Sequence, residues 1–241
     1  MTAAMATTIT TKAGGLDAGA LHRLLAWLSP AYPVGGFSYS HGLEMAVEEG
    51  RVTDRGGLTA YVTTVLRAGA GRIDGALLAA AWRAAAADDA ARLDEVAQLA
   101  AAWRGTAETA LEALAQGAAF TAVTRTAWPE PRFAGFVARH PRALTHAVAF
   151  GAAAGFQGVP LRPALAGWLA GFAANLVSAG VRLVPLGQTD GQVATAALLP
   201  VVETAADAAL AADPETLGTA APLLDLLSMR HETQYTRLFR S

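Results

Sequence analysis

Pro163-Ala164-Leu165-Ala166-Gly167-Trp168-Leu169-Ala170-Gly171-Phe172-Ala173-Ala174 is the longest uncharged apolar run in the chain. Its large residues, continued by Leu176, fall at 165, 168, 169, 172 and 176. That is the spacing of one helical face, and it is incompatible with the period of two that a strand requires. Small residues fill the other faces, so the pattern predicts a helix buried centrally among other helices. The run stops at Asn175 and is shorter than the roughly 18 to 20 residues needed to span a bilayer.

The same period recurs on both sides. Asp17 can cap a helix carrying Leu21, Leu24, Leu25 and Leu28 on one face, and Ser29-Pro30 ends it. A loop with two prolines, three glycines and three aromatics follows, Ser29 to Gly42. Beyond it, Leu43, Ala46 and Val47 read as the inner face of a short helix with Glu44, Glu48 and Glu49 outside. Thr53 is the candidate cap for the pattern Leu58, Tyr61, Val62, Val65 and Leu66. Further helical patterns contain Leu77 to Trp82, Leu93 to Trp103, Phe133 to Val137 and Leu144 to Val148. Gln192 to Leu210 is helical in composition, but Pro200 requires either a kink or a junction of two helices. Sustained alternation of apolar and polar residues is absent throughout. The expectation is an all-α, single-domain bundle of about ten helices. Residues 1–15 are expected to form a disordered N-terminal segment, 16–228 the helical domain, and 229–241 a polar C-terminal tail.

Bulk properties narrow the function. Hydrophobic residues make up 53% and charged residues 16% of 241 residues, with mean hydropathy +0.33. Such a chain needs either a membrane or large partner surfaces. The N-terminus lacks the apolar core of a signal peptide, so the expectation is a soluble cytoplasmic protein that does not enter a membrane. With no cysteine, thiolate metal sites, disulfides and cysteine nucleophiles are excluded. Lys12 is the only lysine, and no basic run interleaved with aromatics suggests nucleic-acid binding.

Catalytic motifs are missing. The histidines at 22, 41, 140, 146 and 231 form no i, i+4 pair and no zinc-protease pattern, so no metal site is assigned; His231, beside Glu232, is the weak exception. The serines lie in no nucleophile-elbow context, and Gly35-Gly36 lacks the Gly-Lys-Ser/Thr of a phosphate loop. No catalytic or cofactor-binding residue is therefore assigned, and the chain is read as a non-enzyme. What remains is the aromatic, glycine-rich loop and the terminus Met229-Arg230-His231-Glu232-Thr233-Gln234-Tyr235-Thr236-Arg237-Leu238-Phe239-Arg240-Ser241, where almost every residue carries charge or a hydrogen-bonding group.

Three stretches carry a family resemblance. Tyr32-Pro33-Val34-Gly35-Gly36-Phe37-Ser38-Tyr39-Ser40-His41-Gly42-Leu43-Glu44, Val177 to Gln192 and Ser228 to Ser241 resemble, in order and spacing, the signature segments of the urease accessory protein UreF family. The segment Arg104 to Ala110 departs from the family pattern, with alanine where arginine is expected. The resemblance implies an all-α homodimer that binds UreD (also called UreH) and the GTPase UreG. Together these deliver nickel to apo-urease, with nickel and GTP handled by the complex and no cofactor bound by this chain. Partner-binding roles then fall on Tyr32, Gly36 and Tyr39 of the loop, Arg182 and Gln188 of the central motif, and Arg230, His231, Glu232, Gln234, Tyr235 and Arg237 of the tail. The tail is expected to pack against the loop when the complex forms. Two alternatives are a regulator acting on the partner GTPase through Arg182 or Arg230, and a weak nickel carrier.

Overall fold

The computed structural model describes residues 16–219 and 221–241; the segment 1–15 expected to be disordered lies outside the described residues. Among these, twelve α-helices and two short 3-10 turns make up the regular structure, and no strand occurs. All-α is therefore correct, with two more helices than the periodicity resolved.

Helix α1, Ala18–Trp27, begins where the Asp17 carboxylate accepts the Ala20 amide at 2.7 Å. α2, Leu43–Glu48, follows the loop, and α3, Arg55–Ala68, is capped by Asp54 and not by Thr53. α4 is Ala70–Ala86, and α5, Ala90–Ala102, starts on the Asp89 cap. α6, Ala107–Ala127, opens with a capping box between Thr106 and Thr109. α7, Pro131–Arg139, uses Glu130 as cap with proline in its first turn. α8 is His146–Phe156 and α9 is Leu161–Leu183. α10, Gln188–Ala197, and α11, Leu199–Ala211, meet at Leu198 with a bend of 42°. Pro200 sits in the first turn of α11, where a missing N–H breaks no helical bond, so two helices meet there. α12, Pro222–His231, runs into the tail.

The centre of the molecule is not α9, as its pattern suggested, but the pair α4 and α8. α4 buries residues on every side, from Gly71 to Ala85, and α8 buries all but its two ends. Glycine allows the two backbones to touch. A Cβ at Gly151 would lie 2.4 Å from the Leu78 carbonyl oxygen, and one at Gly155 2.6 Å from that of Trp82. Alanine at most remaining contact positions keeps the approach close along the whole pair. The alanine-rich stretch of the sequence is thus the core.

α9 packs on α2, α3, α4, α8, α10 and α11 through Leu165, Trp168, Leu169, Leu176 and Val177. It starts just before the apolar run and continues well past its end to Leu183, and at 23 residues it is long and apolar enough to cross a membrane. Half of its most apolar window is buried inside the bundle, which accounts for its composition without a bilayer. α12 lies across α2 and α6, and this crossing positions the loop and the tail.

Replacing Gly151 with valine should force α4 and α8 apart. The expected result is a loss of about 3 kcal/mol or more in urea unfolding followed by helical circular dichroism, with Gly135→Ala, which meets open space inside α7, stabilising by about 0.5 to 1 kcal/mol.

Candidate functional site

The loop leaves α1 at Leu28 and crosses the ends of α6 and α9 before entering α2. Tyr32 is buried, its hydroxyl 2.8 Å from Thr124 Oγ1 of α6. Gly36 is buried against Asn175 of α9, where a Cβ would stand 2.7 Å from the amide nitrogen. His41 and Gly42 both take left-handed backbone, with φ of 57° and 77°. The conformation is unusual for histidine. It is held by Tyr61, whose hydroxyl donates to the His41 carbonyl at 2.8 Å, while Gly42 lies against the backbone of Leu227 and Ser228 in α12.

Three carboxylates are buried beneath this loop: Glu44 on α2, and Glu108 and Glu112 on α6. Each would be costly unpaired, and each is satisfied by donors from distant parts of the chain. Glu44 accepts the Leu238 and Phe239 amides at 2.7 and 3.0 Å and His231 Nε2 at 2.9 Å. Glu108 lies 2.8 Å from His231 Nδ1 and accepts Arg237 at 2.9 Å. Glu112 lies 3.1 Å from His41 Nδ1 and accepts the Ser241 hydroxyl at 3.0 Å and the Gln116 amide at 3.2 Å. His231, with no exposed surface, is the pivot between α2 and α6.

Backbone contacts complete the union of loop and tail. The Arg240 amide donates to the Ser38 carbonyl at 2.8 Å, and the Ser40 amide to Ser241 O at 2.7 Å. Phe239 is buried beneath Arg182, whose guanidinium stands 4.5 Å from the ring centroid and donates to the Phe37 carbonyl at 2.9 Å. Arg240 lies over the Tyr39 ring at 5.7 Å. The tail expected to pack only within a complex is therefore folded on the single chain, because the buried carboxylates supply its partners.

The inward-facing residues leave a smaller set at the surface. Tyr32, Gly36, Tyr39 and His231 are buried: Tyr32 ties the loop to α6, Gly36 packs on α9, Tyr39 lies under Arg240 of the tail, and His231 joins α2 to α6. Arg182 is engaged by both segments, and Arg230 pairs with Glu49 at 2.6 Å. Gln188 starts α10 and makes no side-chain hydrogen bond with loop or tail among the described residues. Glu232 is exposed and Gln234 half-buried. Tyr235 is fully exposed, Phe37 and Leu238 are about two-thirds exposed and Met229 about half, so these four supply large apolar surface on the joined segments.

Behind the loop lies a cavity of about 440 Å³, bounded by Trp27, Tyr32, His41, Glu112, His146 and Trp168. Asp74 also reaches it and is paired with Arg104 at 2.7 Å. Burial pushes His146 down to about 4, against the opposing pull of Asp74 and Glu112. Burial also works to lower His41, but the facing Glu112 outweighs it, and His41 is raised. Among the described residues, no group of three or more His, Asp or Glu side chains is arranged to hold a metal ion.

Comparison with known proteins agrees with this architecture. The UreF family model matches residues 52–199. The chain is 65% identical over 222 residues to the urease accessory protein UreF of Granulibacter bethesdensis, covering 92% of this chain and 94% of that protein. The chain belongs to the UreF family. UreF proteins of a Bradyrhizobium species and of Rhodopseudomonas palustris are 49% and 50% identical to it, over 97% and 96% of its length and 97% of theirs.

The loop and the whole of the tail lie outside the segment the UreF model matches, yet they build the site described above. The carboxylates beneath them were missed from sequence. Glu44 was placed on the outer face of α2 with Glu48 and Glu49, and the structure corrects this: Glu44 is buried, because α12 and the tail cover that face. Its sequence signal was adjacency to the buried Leu43 in a six-residue helix, too short for periodicity to decide. Glu108 carried a signal in the capping sequence Thr106 to Thr109, which fixes it in the first turn of α6.

Glu44→Ala should orphan His231 and two tail amides, with an expected loss of about 3 kcal/mol in urea unfolding. Glu48→Ala, on the exposed face, should stay within about 0.5 kcal/mol. His146 gives an acid-side signature. Its folded value lies below the ordinary one near 6.5, so its contribution is present above that pH and is lost as pH falls toward 4. His146→Gln should flatten the decline in unfolding free energy across that window.

Proposed function

We propose that the chain acts in urease maturation as a non-catalytic scaffold that docks other accessory proteins through the joined loop and tail. The observation that carries this reading is the surface placement of Phe37, Tyr235 and Leu238 above a rigid network of buried ion pairs. Exposed aromatic and apolar side chains on a fixed backbone are the anchors that interfaces use, because little ordering cost remains at binding. The partners in this reading are the UreD/UreH-type protein, the GTPase UreG and apo-urease, met in the cytoplasm by a homodimer of this chain. Nickel and GTP are handled by that complex, with no cofactor resident here.

The arginine-based alternative finds less support. Arg182 is committed to Phe37 and Phe239, so it reaches a partner's nucleotide only by giving up contacts that join loop and tail, while Arg230 is held by a surface pair with Glu49. Nickel carriage by His231 meets the same obstacle, since both ring nitrogens face carboxylates within the fold.

A pull-down with the UreD/UreH-type protein and UreG tests the scaffold reading. Phe37→Ala, Tyr235→Ala and Leu238→Ala remove exposed side chains and should preserve the circular dichroism spectrum and melting temperature. At least one should weaken capture tenfold or more, as truncation of an interface anchor does. Undiminished capture by the triple variant would overturn the docking face.

A further inference from the structure

The cavity behind the loop has the size of a small-molecule site: about 440 Å³, within a usual range of about 300 to 1,000 Å³. Residues 29–37 roof it, and α1, α6, α8 and α9 supply its walls. The polar groups on those walls are incompletely bonded. Glu112 holds two of them, His41 through Nδ1 at 3.1 Å and Gln116 through its amide nitrogen at 3.2 Å. A carboxylate only accepts, so Nδ1 carries a hydrogen and the Gln116 oxygen is left without a bond to Glu112. His41 Nε2 and the Gln116 oxygen have no protein partner, although only about a tenth of either residue is exposed. Neither atom is sealed from open space, and the cavity is the space both residues border. Asn175, on the α9 wall, makes no side-chain hydrogen bond among the described residues. Trp27 Nε1, His146 Nε2 and Trp168 Nε1 also lack partners and lie recessed in the walls. A folded interior leaves few such groups, and their concentration around one cavity marks a place for something that hydrogen-bonds.

We propose that this cavity binds a small neutral molecule with a compact aromatic body and a carboxamide-like head that both donates and accepts hydrogen bonds. The neutrality follows from the walls. Asp74 is paired with Arg104 at 2.7 Å and Glu112 with His41 at 3.1 Å. No carboxylate is left to receive a cation, and an anion would enter beside two carboxylates. The head follows from the unpaired groups. The Gln116 oxygen calls for a donor on the ligand, and the Asn175 amide offers one donor side and one acceptor side. The body follows from Trp27, Tyr32, Trp168 and Phe172, whose rings line the space; Trp168 and Phe172 stand 5.6 Å apart, centroid to centroid. Water meets the polar atoms but gains nothing from these rings.

Occupancy bears on the surface above the cavity. The roof includes Phe37, and Gly36 rests on Asn175. A ligand beneath the roof would oppose its inward movement and hold Phe37 in place. That consequence rests on the docking-face reading above; binding itself is a property of the isolated chain.

Benzamide is the probe, titrated into the full chain without partners. Nitrogen-15 spectra follow the indole N–H groups of Trp27 and Trp168 and the side-chain amides of Gln116 and Asn175. Saturable shifts are expected, with a dissociation constant in the low millimolar range or tighter, as suits a ligand of so few atoms. Toluene lacks the head, and benzoate and benzamidine charge it. Each should bind at least about fivefold more weakly, the worth of one net hydrogen bond. Gln116→Met should weaken benzamide by a similar factor and leave toluene unchanged. Ala113→Leu fills the space without removing a polar group and should abolish saturation by benzamide, with circular dichroism and melting temperature retained. Should the larger side chain disturb α6, Gln116→Met still decides. Absence of saturable shifts in the unaltered chain, or benzamide affinity unchanged by Gln116→Met, would overturn the site. Toluene binding as tightly as benzamide would reduce it to an apolar void and overturn the proposed ligand class. None of these outcomes bears on the docking face, which stands or falls on the capture of partners.

Discussion

The Glu44 carboxylate is buried on a short helix, and removing a carboxylate from water costs several kcal/mol unless hydrogen bonds and an opposite charge replace the solvent. α2 has six residues and cannot supply them. Two tail amides and His231 do, from 187 to 195 residues away in the chain. This requirement fixes where the tail runs. Once Leu238 and Phe239 are held on Glu44, Arg240 is brought to Ser38, Ser241 to Ser40, and Phe239 to the underside of Arg182. The loop, α2, α6 and α12 are tied together by one buried charge.

A network of this kind needs a stiff frame. Geometry at 2.7 to 3.0 Å is kept only where the helices carrying the groups do not drift. The contact between α4 and α8, closed by Gly151 and Gly155 on opposing carbonyls, gives the bundle that stiffness. α6 is fastened to the segment that leads into α8: a Cβ at Gly117 would overlap the Leu144 carbonyl oxygen. Glu108 and Glu112 are therefore mounted on a helix locked to the core, whereas Glu44 sits on one held chiefly by its neighbours. The division leaves the α2 side of the site as the part that depends most on the tail.

Helical periodicity revealed most of the elements and the absence of strands, because the large residues recur at 3.6-residue spacing even where alanine surrounds them. It misplaced the centre. Leu165, Trp168 and Leu169 advertise α9, while α4 and α8 are built from alanine and glycine, whose burial comes from close approach and not from size. Tyr39 and the tail were legible as unusual, but their orientation was not. The family resemblance implied partner-binding roles for Tyr32, Tyr39 and His231, and the fold turned them inward. Phe37 and Leu238, which were not among those candidates, remained outside. Glu44 shows the general reason: a carboxylate on a helix reads as solvated until a segment remote in sequence is known to cover it.

The same distance in sequence explains why the tail is rich in polar groups while resting on an apolar body. Ten residues of irregular chain lose conformational entropy when they dock, and Phe239 is the one large apolar side chain among them that is buried. Apolar burial alone would hold so short a segment weakly. Hydrogen bonds to carboxylates that the docked tail itself helps to shield from water are stronger than bonds at the surface. Polar anchoring also leaves the remaining apolar side chains uncommitted. Tyr235 and Leu238 stay exposed because the tail is secured through backbone amides, His231 and Arg237. A tail held by its own hydrophobic residues would have consumed the surface that a partner needs.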